Sequence, residues 1–192
     1  MNQFNWDKSF LVDFDPVTGM SKTATPSRRY LSQMKKMFAD STAVEKILEK
    51  EDPVLYEWFE LGCPERAGDL AFGVTSLKPG KVGNEYYMTK GHFHTVLATA
   101  EVYYTFSGEG YMVMENPEGD TMEVPISKGQ TIYVPRNYAH RMVNTGTEPL
   151  VTFFVFAADA GHDYGTIETK GYHKMIVEKD GSPVVVDNPK WA

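Results

Sequence analysis

The sequence predicts a mainly β fold, an all-β double-sheet jelly roll or barrel that carries short helices at its N-terminal end. From Val54 onwards, short stretches of alternating polarity are separated by Gly, Pro and Asn turns. No repeat, charge run or flexible linker interrupts this series. Aromatic residues make up 13% of the chain, which suits half-buried pleated surfaces. At 192 residues the chain is long enough for one well-buried core and short for two. We therefore read residues 1–192 as a single domain. Residues from about 1 to 50 form an extension packed on the barrel, and those from about 51 to 192 form the barrel and C-terminal edge strands.

Taken in order, Pro26 stands at a favourable helix start, and Leu31, Met34 and Phe38 follow at helical spacing, so the pattern predicts a helix across 28–38. A second short helix is expected from Ser41 or Thr42, where Thr42-x-x-Glu45 has the form of a capping box. Strands are expected at 54–61, 70–77, 85–90, 100–107, 110–115, 121–126, 130–134, 139–144, 150–157, 172–178 and 183–187. The last, at Val184-Val185-Val186, reads as an added edge strand.

A net charge of −7 argues against general nucleic-acid binding, which needs a basic face. An anionic substrate would have to be drawn in locally, and Lys90 and Arg141 stand beside candidate ligand histidines. The first residues lack the basic flank and apolar core of a signal peptide, and no segment approaches the length of a membrane span. Cys63 is the only cysteine, which rules out an internal disulfide. These features lead us to expect a cytoplasmic protein without membrane or nucleic-acid partners.

The residues richest in chemistry are Gly91-His92-Phe93-His94, then Glu101, then Pro135-Arg136-Asn137-Tyr138-Ala139-His140. His92 and His94, two apart on an extended segment, point to the same side. Glu101 opens the alternating run to Phe106, which puts Glu101 and Tyr103 on one face. His140 follows after a turn at Gly129 and a further short strand. Burying two imidazoles side by side without partners is costly, and a carboxylate and a third imidazole in matching contexts point to a metal. Nitrogen and oxygen donors without thiolate suit iron, manganese, nickel or zinc. Four such ligands on an octahedral ion leave two positions for substrate oxygens or water.

These two clusters resemble the paired motifs of the cupin superfamily. Two departures stand out: six residues separate His94 from Glu101, and Asn137 occupies a position where glycine is usual. The long spacer narrows the resemblance. Thr89 to His94, Ala100 to Tyr103, Val134-Pro135 with Ala139-His140-Arg141, and the run Asp159-Ala160-Gly161-His162-Asp163-Tyr164-Gly165 look like the cupin-type glucose-6-phosphate isomerases. The ending Val185-Val186-Asp187-Asn188-Pro189 is similar as well.

That resemblance implies a cytoplasmic homodimer that interconverts glucose 6-phosphate and fructose 6-phosphate. It implies one divalent metal per subunit, Fe2+ foremost, with Mn2+, Ni2+ or Zn2+ as alternatives. By matched positions it makes His92, His94, Glu101 and His140 the metal ligands. Tyr56, Thr75, Thr89, Gly91 and Tyr164 become the phosphate and substrate contacts, and Glu101, Tyr103 and His162 the catalytic groups. Phe156 stands where the family pattern often has tyrosine. Either a base at Glu101 removes the C2 proton, or hydrogen passes directly between C1 and C2 and only oxygens exchange protons. Two rivals use the same ligands: an oxygen-dependent cupin dioxygenase and a non-enzymatic cupin that binds a sugar phosphate.

Overall fold

The computed structural model describes residues 4–22, 25–165 and 167–191. It is mainly β, in three antiparallel sheets. β1 (Ser27–Tyr30), β2 (Val54–Glu60), β3 (Leu70–Leu77), β6 (Glu101–Ser107), β9 (Thr131–Val134) and β11 (Leu150–Ala157) form a six-stranded sheet in the order β1-β2-β3-β11-β6-β9. β7 (Glu109–Glu115), β8 (Thr121–Ser127) and β10 (Ala139–Asn144) form a second sheet, ordered β10-β7-β8. β4 (Lys81–Val82), β5 (Glu85–Tyr86), β12 (Lys174–Lys179) and β13 (Ser182–Asp187) form the third, with β13 at its edge. Residues from all three meet in one apolar core that includes Leu77, Met112 and Ile176, each at most 1% exposed.

Residues 27–30 form β1 against β2, followed by a single 3₁₀ turn at Leu31–Gln33, where a helix across 28–38 was expected. Leu31, Met34 and Phe38 are nonetheless buried, because successive turns close Met34 N–H onto the Leu31 carbonyl and Met37 N–H onto that of Met34. Turns that advance by three residues bring apolar side chains to one face much as a helix does. The second helix, α1 (Ser41–Leu48), starts where expected, but its cap is the Asp40 carboxylate, which accepts from Ala43 N–H at 2.9 Å; Thr42 lies inside the helix. A further short helix, α2 (Ile167–Lys170), follows the loop that carries His162 and Tyr164.

One irregularity positions the site. Only Glu85–Tyr86 of the expected strand 85–90 joins a ladder. Beyond it the chain leaves the third sheet and runs antiparallel to β10, with a bridge between Met88 and Val143 and another between His92 and His140. Thr89 N–H donates to the Met142 carbonyl at 2.9 Å and Asn144 N–H to that of Tyr87 at 3.0 Å. Gly91, at φ 74°, breaks the regular pleat between these contacts. Asn137 takes φ 72°, the left-handed conformation that asparagine tolerates better than most residues, which explains its place in a glycine position.

Candidate metal centre and substrate cavity

The six-stranded sheet supplies one wall of a cavity of about 200 Å³. Strand alternation aims Tyr56, Trp58 and Glu60 of β2 into it, with Thr75 of β3, Glu101 and Tyr103 of β6, and Phe154 and Phe156 of β11. The opposite wall is the irregular segment from Thr89 to His92 with His140 and Met142 of β10. His162 and Tyr164 complete it from the loop after β11. Asp163 anchors that loop through an antiparallel bridge, exchanging main-chain hydrogen bonds of 2.9 and 2.8 Å with Phe93. The bridge sets His162 beside His92, with ring centroids 4.4 Å apart.

Ligating atoms of His92, His94, Glu101 and His140 all lie within 4.8 Å of one another. His94 Nε2 lies 3.2 Å and His140 Nε2 2.9 Å from Glu101 Oε2, yet neither contact has hydrogen-bond geometry. Glu101 Oε2, His94 Nε2 and His92 Nε2 are buried and lack hydrogen-bond partners among the described residues. Leaving such atoms unpartnered costs free energy that a shared cation would recover, so these residues fit a divalent metal. His94 Nδ1 is 3.3 Å from the Gly161 carbonyl and His140 Nδ1 3.5 Å from that of Tyr138, contacts that orient each ring's Nε2 inward.

The electrostatics agree with ligation. Burial pushes the Glu101 carboxyl up, but the imidazoles of His140, His94 and His92 outweigh it and hold the group far below the usual carboxylate range. Burial, reinforced by His140, holds His92 well below the ordinary histidine value, so its ring is neutral with a lone pair available. Burial likewise lowers His162. Tyr103 donates or accepts at 3.1 Å from His140 Nε2, and burial with the neighbouring Glu101 charge keeps its hydroxyl protonated.

Tyr56, Thr75, Thr89, Gly91, His92, Glu101, Tyr103, His140, His162 and Tyr164 all line the same cavity, and His94 completes the ligand cluster behind it. Lys90 N–H donates to the Tyr56 hydroxyl at 3.4 Å, while the Thr89 hydroxyl accepts from Met142 N–H at 3.0 Å. The Lys90 ammonium sits 3.8 Å from the centre of the Tyr164 ring and is paired with Glu168. Arg141 does not serve the cavity: it points to the far side of β10, where it lies buried 4.0 Å from the centre of the Tyr172 ring. His173, outside the cavity, is half-buried; it contacts Glu115 at 3.1 Å and stacks on Trp191. Sequence reasoning missed Arg29, Trp58 and Glu60 as lining residues. Alternation along 56, 58 and 60 was a usable signal for the last two.

The glucose-6-phosphate isomerase (GPI) family model matches residues 28–191. A glucose-6-phosphate isomerase of Thermococcus litoralis is 46% identical over 97% of this chain and 98% of its own. One from Pyrococcus furiosus is 48% identical over 94% of both chains. One from Sinorhizobium medicae is 39% identical over 91% of this chain and 83% of its own. Among solved structures, an oxalate decarboxylase of Bacillus subtilis aligns at a TM-score of 0.44 with 23% identity, over 60% of this chain and 29% of that one. No described helix is long and apolar enough to cross a membrane. With a family match spanning most of its length and relatives near half identical over nearly all of it, this chain belongs to the cupin-type glucose-6-phosphate isomerase family.

Proposed function

We propose that this protein is a metal-dependent aldose–ketose isomerase that interconverts glucose 6-phosphate and fructose 6-phosphate. The observation that carries the reading is one cavity in which three imidazoles and a buried carboxylate converge beside hydroxyl and cationic groups suited to a phosphate. Such a cavity offers both a place for sugar oxygens and a place for the anionic end.

His92, His94, Glu101 and His140 would hold a divalent cation, Fe2+ foremost. Bound there, it would supply Lewis acidity to the oxygens of the open-chain sugar. Glu101 serves in this reading chiefly as a ligand, since its carboxylate, held ionised, is a weak base. Protons that must move between sugar oxygens fall to His162, whose neutral ring faces the cavity, and to the Tyr103 hydroxyl. Tyr56, Thr75, Thr89, Gly91 and Tyr164 would receive the phosphate, and the phenyl faces of Phe154 and Phe156 would exclude water from the carbon chain. Phe156, its ring 5.3 Å from that of His94, brings no hydroxyl to the site. The family resemblance also supports a cytoplasmic homodimer.

The test is isomerisation of fructose 6-phosphate by chelator-stripped protein and by the same sample reloaded with Fe2+ or Mn2+. Glucose 6-phosphate should form only after reloading. A metal-loaded protein that fails to turn over would reject the substrate, and oxygen consumption in its place would revive the dioxygenase.

A further inference from the structure

We infer that Arg29 is a phosphate-recognition residue of this cavity, the guanidinium that selects a phosphomonoester over a neutral sugar. The inference rests on the isomerase reading above and adds to it a residue outside the matched motifs. β1 and β2 pair antiparallel with Arg29 opposite Tyr56, so both side chains share the sheet's inner face. Arg28, one residue earlier, points the other way and pairs with Glu57 at 2.7 Å. Two adjacent arginines thus have different tasks: one pairs with a carboxylate beside the sheet, the other lines the cavity.

Among the described residues the cavity is lined by two basic side chains, Arg29 and Lys90. Lys90 is already neutralised by Glu168 and rests on the Tyr164 ring. Arg29 has no carboxylate within ion-pair distance among those residues. Its guanidinium lies 5.4 Å from the centre of the Trp58 ring, and its Nε is shielded from solvent without a hydrogen-bond acceptor. The carboxylates lining the cavity are Glu101, inside the ligand cluster, and Glu60. Glu60 is four residues along β2 from Tyr56, roughly 13 Å at the usual strand rise. A planar fork of N–H donors with one buried donor unpartnered suits a phosphate dianion, which offers several acceptor oxygens. Glu168, bound to Lys90, feels the Arg29 charge but makes no direct ion pair with it, so in a chain of net charge −7 the guanidinium remains available to draw an anion into the cavity.

The test compares metal-loaded wild type with Arg29→Met and Arg29→Lys. For Arg29→Met we expect the KM for fructose 6-phosphate and the inhibition constant of inorganic phosphate to rise together, by about ten- to a hundredfold. Metal content should be unchanged and kcat should stay within about threefold, because a contact remote from the reacting carbons acts on both ground and transition states. Arg29→Lys should recover part of the loss, as a point charge without the fork. If both constants stay within about twofold of wild type while metal is retained, the inference is overturned. A fall in kcat with unchanged phosphate inhibition would also overturn it, in favour of a packing role. If wild type itself does not turn over fructose 6-phosphate, the isomerase reading fails separately. Inorganic phosphate binding to wild type and Arg29→Met, followed by calorimetry, then decides the Arg29 assignment alone.

Discussion

The main-chain amide of His140 donates to the carbonyl of His92 at 3.2 Å, so two of the four candidate ligands are antiparallel partners on a single bridge. Their rings, 4.7 Å apart, are brought together by backbone pairing, before any ion contributes. Glu101 reaches the same point from β6, fixed between Val134 of β9 and Phe156 of β11. The ligand set therefore draws on both walls of the barrel, and a cation there would tie them together.

Metal should accordingly stabilise the fold. A ligand present at a hundred times its dissociation constant adds about 2.7 kcal/mol. For a chain of this size that corresponds to a rise in Tm of about 5–10 °C. Thermal denaturation in chelator and in excess Mn2+ measures the shift, which Glu101→Gln should largely abolish. A Tm indifferent to every divalent cation would contradict the ligand assignment.

Acid should weaken the metal-free protein in two stages. His92 and His162 have folded-state values held below their ordinary one by burial, so below about pH 6.5 the unfolded chain takes up protons that the folded chain refuses. Stability present above that pH is lost as pH falls through it. Glu101 is depressed as well, in its case because the imidazoles overcome burial; its contribution persists above about pH 4.3 and is lost on further acidification. The urea midpoint of stripped protein should therefore fall between pH 7.5 and 5.5, and His162→Asn should make that slope shallower. A flat profile across this interval would mean that neither imidazole is held neutral by the fold.

Gly91→Ala should be severe. The residue sits at φ 74°, and an added Cβ would come 2.4 Å from the Tyr172 hydroxyl and 2.8 Å from the His140 carbonyl. Left-handed strain and overpacking together cost about 3 kcal/mol, to be read from urea unfolding. Since Gly91 precedes His92, the variant should also bind metal less tightly, measured by competition with a chelator. Wild-type stability in this variant would show that the segment is free to move away from Tyr172.

The candidate ligands were legible in the sequence partly from local geometry, since His92 and His94 share a side by spacing and Glu101 opens an alternating strand, whereas His140 meets them only through its long-range bridge to His92. Other features depend on distant contacts or on competing patterns. Arg29 was hidden because 28–38 carries helical spacing that the structure satisfies with turns of three, leaving 27–30 free to extend the sheet. Neutralisation of Lys90 by Glu168 joins residues 78 positions apart, a pairing that no local pattern encodes. Arg141 could have been placed correctly from sequence. On a strand whose residues 140 and 142 face the cavity, residue 141 must face away.

The groups around the ligand cluster also bear on how hydrogen moves between C1 and C2. Removal of the C2 proton needs a base of substantial proton affinity. Glu101 is poorly suited, because three imidazoles hold it ionised far below the usual range. His162 is a weaker base than an exposed histidine, since burial disfavours its charged form. Glu60, the remaining carboxylate on the cavity wall, lies at the exposed end of β2. Direct transfer between the two carbons avoids this demand and asks only that protons pass between oxygens, which a neutral imidazole and a protonated tyrosine can serve. Fructose 6-phosphate isomerised in deuterated water should therefore yield glucose 6-phosphate with far less than one carbon-bound deuterium per turnover, read by NMR at C2. Incorporation approaching one per turnover would instead require a base, and His162→Ala would then be expected to abolish exchange and turnover together.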